Sequence, residues 1–102
     1  MRRILLSVMV LLLLLPAIRV IAQDEDPVFM RVRRVLVESL GVEESRVTLD
    51  ASLVSLGMNN SNKDNVKRDL EVQFGIIIPR DEFERMPKVG DVVTFFRKKL
   101  EQ

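Results

Sequence analysis

The sequence predicts a small all-α protein, a bundle of three longer helices and one short helix, with a long loop between helices 1 and 2. Apolar residues recur every three or four positions in three separate segments, which is the spacing of one helix face. Glycine directly follows two of these segments, where helices commonly end. The one strand-like run, Ile76-Ile77-Ile78, is three residues long and is closed by Pro79. It therefore predicts an extended connector that buries one or two side chains.

Residues 1–22 are predicted to be a secretory signal peptide or an N-terminal membrane anchor. Two arginines precede an apolar run, Ile4–Leu15, and a small residue precedes a plausible cleavage site before Gln23. A membrane-spanning helix needs about 20 apolar residues, whereas Pro16 and Arg19 interrupt this run earlier. We therefore expect an exported protein, periplasmic or secreted, with an uncleaved membrane anchor as the alternative.

Residues 23–27 are predicted to be a linker, and residues 28–102 the folded domain. Helix 1 is expected to begin at Asp26-Pro27, a cap acceptor followed by a proline in the first turn, and to end at Gly41. Residues 42–57 show no sustained period, so they predict a long loop that single apolar side chains pin to the core. These side chains are Val42, Val47, Leu49, Leu53 and Leu56.

The remaining helices follow in the second half of the chain. Helix 2 is expected to begin near Asn60 or Ser61, either of which could cap it, and to end at Gly75. The short helix covers residues 80–86, and the last helix begins at Val89 with an apolar stripe that extends to Leu100. The predicted core consists of Val32, Leu36, Leu40, Val66, Leu70, Phe74, Val92, Val93 and Phe96.

Composition excludes several classes of function. The chain has a formal charge of +1, and without residues 1–22 it has 13 basic and 15 acidic residues, a charge of −2, which gives no electrostatic footprint for nucleic acid. It contains no histidine, cysteine, tyrosine or tryptophan. An imidazole base and a thiolate nucleophile are therefore missing, and a zinc site would have to be built from carboxylates alone. We expect neither an enzyme nor a metal site.

The order of elements and several fragments resemble the acyl carrier protein family. The resemblance covers about residues 28–101 and is interrupted by a single one-residue gap. The matching fragments are 35–42, Ala51-Ser52-Leu53, Leu56-Gly57, Phe74, Ile78-Pro79 and Val89-Gly90-Asp91-Val92-Val93. The resemblance implies an acyl-carrier-like helical bundle.

The family's chemistry depends on one serine in an Asp-Ser-Leu motif at the start of the second helix. The resemblance implies that this hydroxyl would receive 4′-phosphopantetheine, whose thiol carries an acyl chain. Alignment without a gap from Leu56-Gly57 to Phe74 places the motif on Asn59, Asn60 and Ser61, so that asparagine replaces the serine. If the missing residue lies within helix 2 instead, Ser61 is the attachment site.

Two arguments favour Asn60 at the attachment position. A deletion inside a helix would rotate its apolar stripe by about 100°, whereas a loop absorbs one at little cost. In addition, helix 2 has lost the acidic surface that family members present to partners with basic patches, because its lysine and arginine residues cancel its acids. Ser61 is then expected to be an unmodified helix cap.

We therefore expect an exported acyl-carrier-like domain without phosphopantetheine that acts as a non-catalytic binding module. Its partner is an unidentified protein, it binds no nucleic acid, it meets a membrane only through an uncleaved N-terminal segment, and it is a monomer. The alternative is a genuine acyl carrier protein that bears 4′-phosphopantetheine on Ser61 in fatty-acid or related acyl metabolism.

Overall fold

The computed structural model describes residues 26–102 and confirms the predicted all-α class. Four helices follow in order, α1 (Pro27–Leu40), α2 (Lys63–Phe74), α3 (Arg80–Glu84) and α4 (Val89–Glu101), with a 3₁₀ turn at Glu44–Arg46. The described part contains no strand, only one isolated bridge between Ser52 and Lys88. The signal peptide or anchor predicted at 1–22, and most of the linker, lie outside the described residues.

The predicted ends of α1 and α2 are confirmed. Asp26 caps α1, since its Oδ1 accepts a hydrogen bond of 3.1 Å from the Val28 N–H, and Pro27 occupies the first turn. Gly41 and Gly75 end α1 and α2 in the left-handed conformation, with φ of 69° and 66°. A side chain would be strained at both positions, so these glycines fix where the two helices stop.

Eight of the nine predicted core residues are buried, and Leu40 is partly buried. The rings of Phe74 and Phe96 stack with centroids 3.9 Å apart and join α2 to α4. Leu100, expected on the buried stripe of α4, is 49% exposed. That expectation was wrong because Leu100 lies beyond Arg97, which already pairs with Asp26 at the cap of α1.

The long loop is held to the helices as expected by Val47, Leu53 and Leu56, which are buried. Leu49 was expected to do the same but is 49% exposed. Its backbone anchors the loop instead, because the Leu49 carbonyl accepts a 2.8 Å hydrogen bond from the Gly90 N–H. A Cβ on Gly90 would lie 3.0 Å from that carbonyl oxygen, so glycine permits this close approach.

The connector after α2 behaves as predicted. Ile78 is buried, whereas Ile77 is 75% exposed. The Glu71 carboxylate accepts hydrogen bonds from the Ile78 N–H at 2.7 Å and from Lys67 Nζ at 3.3 Å. The connector is thereby fixed to α2 by a half-buried carboxylate as well as by apolar burial.

Three contacts set the direction of the helices. The Arg31 guanidinium donates a 2.7 Å hydrogen bond to the Gln73 carbonyl, and the Ser39 hydroxyl donates one of 2.6 Å to Asp69, so α1 and α2 are antiparallel. The Arg97–Asp26 ion pair brings the end of α4 to the start of α1. One end of the bundle, here called the base, therefore contains residues 26–33, 71–78 and 95–102. The opposite end, the site end, contains residues 53–63 and 80–88.

Candidate functional site

The site end contains the turn that leads into α2, where the family motif is expected. The Asn59 side chain accepts hydrogen bonds at Oδ1 from the N–H groups of Ser61 (2.8 Å) and Asn62 (3.1 Å). In return, Asn62 Oδ1 accepts a 2.7 Å bond from the Asn59 N–H. This reciprocal arrangement is a capping box built from two asparagines.

The hydrogen bonds therefore place Asn59 at the cap and Asn60 at the first position of the opening turn. The Lys63 N–H donates to the Asn59 carbonyl at 2.9 Å, so helical bonding begins here, ahead of the regular part of α2. The Asn62 side chain also donates a 3.0 Å bond to the Gly57 carbonyl and ties the turn to the preceding loop.

The expectation that Asn60 or Ser61 caps α2 was wrong. Neither side chain accepts a hydrogen bond from an N–H group of α2, whose regular part begins at Lys63. The side chain of Asn59 instead caps the turn that precedes it. The Ser61 N–H is itself one of the capped donors. Ser61 is exposed, and its hydroxyl has no hydrogen-bond partner among residues 26–102.

The regular spacing of the buried residues in α2 limits where the one-residue gap relative to the acyl carrier family can lie. Val66, Leu70 and Phe74 keep an uninterrupted i, i+4, i+8 spacing, and all three are buried. A residue missing within Lys63–Phe74 would have rotated this stripe away from the core, whereas one missing from the turn at 59–62 would not. The geometry thus argues against a gap within α2. An unbroken alignment from Leu56-Gly57 to Phe74 sets Asn60 at the serine position, and a gap in the turn at 59–62 would set Ser61 there.

An apolar cavity of about 340 Å³ lies beside Asn60, between the loop and α3. Leu53, Met58, Phe83 and Met86 contribute apolar side chains to its wall. At its rim, Lys63 Nζ and Glu84 Oε1 form an ion pair of 3.2 Å between α2 and α3.

Two ion pairs join the outer surfaces of α2 and α3. Besides Lys63–Glu84, Arg80 lies 3.8 Å from Asp64, and both side chains of this second pair are more than 60% exposed. No group of three or more potential metal-binding side chains occurs within residues 26–102. None of the helices in that range is long and apolar enough to cross a membrane.

The sequence was then compared with known proteins. Residues 31–96 match the family described as "Phosphopantetheine attachment site". The chain is 34% identical to the acyl carrier protein of Thermotoga maritima over 78 residues, which cover 76% of this chain and 96% of that protein.

The chain belongs to the acyl carrier protein family. The predicted resemblance and fold class are therefore confirmed. Acyl carrier proteins are carrier domains and do not themselves catalyse reactions.

Membership of this family makes 4′-phosphopantetheine a plausible prosthetic group, so the residues must be tested for their fit to it. Attachment through a phosphodiester requires a hydroxyl. Asn60, at the serine position in the alignment without a gap, has a carboxamide and does not fit. Ser61, one residue further along, has an exposed hydroxyl of the right chemistry but occupies the position of the motif's leucine in that alignment.

Proposed function

We propose that this protein is an acyl carrier family member that works as a non-catalytic binding module and carries no phosphopantetheine. The observation that carries the proposal is the asparagine that the alignment without a gap from Leu56-Gly57 to Phe74 sets at the position of the modified serine, Asn60. A carboxamide cannot form the phosphodiester that the prosthetic group needs.

The hydrogen bonds of the opening turn support the same conclusion. A helix N-terminus binds a phosphate through backbone N–H groups that have no partner within the helix. In the turn before α2, the Asn59 side chain already accepts from the N–H groups of Ser61 and Asn62. A phosphodiester at this turn would have to displace a neutral cap that the chain itself supplies.

The binding role is proposed for an unidentified protein partner and for a monomeric domain. Because the outer charges of α2 pair with those of α3, the site end offers little net charge to attract a basic partner. Export also remains a proposal. Its test is the N-terminal sequence of protein recovered from the native host, which we expect to begin at or near Gln23.

The second candidate is a working carrier with 4′-phosphopantetheine on Ser61. The comparisons favour it, because the matching family is described by the attachment site and the similar protein is named an acyl carrier protein. Its physical support is the Ser61 hydroxyl, which is exposed and unengaged at the start of α2.

Intact-mass measurement on protein purified from its own host separates the two functions. We expect no added phosphopantetheine. A mass increment of that group, abolished by Ser61→Ala and kept in Asn60→Ala, would establish the second candidate instead.

A reconstituted reaction sharpens the test. Purified protein is incubated with coenzyme A and a carrier-specific phosphopantetheine transferase, and the native chain is compared with Asn60→Ser and with Asn60→Ser/Ser61→Ala. If residue 60 occupies the attachment position, both variants gain the group and the native chain does not. Modification of the native chain and of Asn60→Ser, but not of the double variant, would assign the attachment to Ser61.

A further inference from the structure

The turn before α2 contains three asparagines that the structure holds to different degrees. Asn59 accepts at Oδ1 from two N–H groups, and Asn62 accepts from the Asn59 N–H and donates to the Gly57 carbonyl. Asn60, which lies between them, takes part in no hydrogen bond within residues 26–102, either through its carboxamide or through its backbone. Its side chain is exposed. In this turn, the carboxamide of Asn60 is therefore the one that is free to change rotamer.

The residue that follows Asn60 is small. Asparagine is a labile residue, because its side chain loses ammonia when the backbone nitrogen of the next residue attacks the carboxamide carbon. A small next side chain hinders this attack least, and the residue after Asn60 is a serine. Asn62 precedes the long side chain of Lys63, and Asn65 precedes the β-branched Val66. Of the four asparagines in the chain, Asn60 thus combines a free carboxamide with an accessible neighbouring nitrogen.

The attacking nitrogen is itself held by the turn. The Ser61 N–H donates a 2.8 Å hydrogen bond to Asn59 Oδ1. The turn lies ahead of the regular part of α2, which begins at Lys63, and side-chain hydrogen bonds hold it in place. Exposed segments of this kind open locally at a lower free energy than global unfolding requires. Release of the Ser61 N–H from Asn59 is therefore the step that exposes the nitrogen.

We propose that Asn60 is a site of spontaneous deamidation and that the Asn59 side chain sets its rate. The Ser61 nitrogen loses its proton to hydroxide and forms a bond to Cγ of Asn60. The bond between Cγ and Nδ2 breaks, and ammonia leaves with a proton taken from water. Water then opens the cyclic succinimide at either of its carbonyl carbons, which leaves aspartate or isoaspartate at position 60. Water is the only co-reactant.

The reaction places a new carboxylate in the opening turn of α2. The aspartate product is favoured there, because negative charge at a helix N-terminus interacts well with the helix dipole. The isoaspartate product instead lengthens the backbone of the turn. Aspartate followed by Ser61 is also the first pair of the family's Asp-Ser-Leu motif, which the unmodified chain lacks. The reaction is independent of the proposed function, because it needs only Asn60 and the backbone nitrogen that follows it.

Timed incubation of the full-length protein tests the proposal. Folded protein is kept at neutral and at mildly alkaline pH, and peptide mapping by tandem mass spectrometry follows conversion at each asparagine. We expect conversion at Asn60 to be faster than at Asn59, Asn62 and Asn65. It should accelerate as the pH is raised, because the deprotonated backbone nitrogen is the attacking species. Earlier conversion at any of the other three asparagines would overturn the proposal.

A matched pair of variants at residue 59 tests the control by the turn. Asn59→Ala removes the acceptor that holds the Ser61 N–H and should accelerate conversion of Asn60 by roughly fivefold, the factor that corresponds to the loss of one cap. Asn59→Asp keeps an acceptor oxygen and should react at nearly the rate of the parent. Circular dichroism confirms that both variants are folded during the incubation. Equal rates in the two variants would show that Asn59 does not set the rate.

A variant of the following residue tests the chemistry. Ser61→Val places a β-branched side chain beside the attacking nitrogen and should abolish the lead of Asn60 over the other asparagines. Ser61→Ala, with a small side chain, should keep that lead. Unchanged conversion of Asn60 in Ser61→Val, or no conversion of Asn60 even in Asn59→Ala, would overturn the proposal.

Discussion

The two ends of the bundle are stabilised by different kinds of contact. At the base, two phenylalanine rings stack, Arg31 lies 4.3 Å from the Phe74 ring centroid, and Arg97 pairs with Asp26. At the site end, the opening turn of α2 depends on short polar side chains, chiefly Asn59 and Asn62. Large apolar contacts tolerate local change poorly, whereas a polar turn can exchange one small side chain for another. We therefore expect substitutions to cost more stability in the core than in the turn.

The largest loss of stability is expected for substitutions in the core that connects the two ends. Leu70 and Phe96 are both fully buried, and truncating either to alanine should lower the free energy of unfolding by roughly 2–5 kcal/mol. A domain with a total stability of about 5 kcal/mol or little more would unfold to a large extent. Thermal melting followed by circular dichroism measures this.

The control for the core variants is Val54→Ala, at a side chain that is 71% exposed. It should melt within a few degrees of the parent. If Leu70→Ala and Phe96→Ala also melt like the parent, the assignment of the buried helix faces is wrong.

A smaller effect is expected at the turn of the site end. Asn59→Ala removes the acceptor of two backbone N–H groups and should cost about 1–2 kcal/mol. Ser61→Ala should change stability by less than about 0.5 kcal/mol, because Ser61 does not cap the helix. Urea unfolding distinguishes the two, and a larger loss for Ser61→Ala than for Asn59→Ala would contradict the capping geometry.

At the base, the Glu71 carboxylate accepts a backbone hydrogen bond, as Asn59 does in the turn of the site end, so the stability effects of removing the two acceptors can be compared. Glu71→Ala leaves the buried Ile78 N–H without its acceptor and should cost about 1–3 kcal/mol. Glu82→Ala, at an exposed position of α3, is the control and should be nearly neutral. Similar unfolding midpoints for the two variants would show that the connector is held by apolar burial alone.

The smallest effect is expected for the ion pair of the base. Arg97 is about half exposed, so Arg97→Ala should cost no more than about 1 kcal/mol. The loss should shrink as salt is raised, since screening weakens the pair in the parent. A salt-independent loss would mean that the stem of Arg97 contributes by packing.

Most of the fold could be predicted from the sequence because helix faces and helix ends are local features. The stripe Val66, Leu70, Phe74 and the two terminating glycines need only neighbours within a few residues. The 3₁₀ turn at Glu44–Arg46 gave no comparable signal. The burial of Leu100 was predicted wrongly, because periodicity continues along a helix even where no other element packs against it.

The site was harder to predict because three neighbouring residues, Asn59, Asn60 and Ser61, are all good caps. One local signal was present: Asn59 and Asn62 have the spacing of a capping box. This signal alone could not exclude Asn60 or Ser61 as the cap, because the sequence does not show where the preceding loop lies relative to Asn62.

The sequence by itself determined which faces of α1, α2 and α4 are buried and where α1 and α2 end, since spacing and glycine act locally. Only the tertiary structure decided which asparagine side chain holds the turn before α2. Leu53 and Leu56 pack into the core and bring Gly57 to the Asn62 side chain, which donates to the Gly57 carbonyl at 3.0 Å. The turn that leads into α2 is thus set by a loop that only the folded core holds in place, and residue 60 takes its position from that turn.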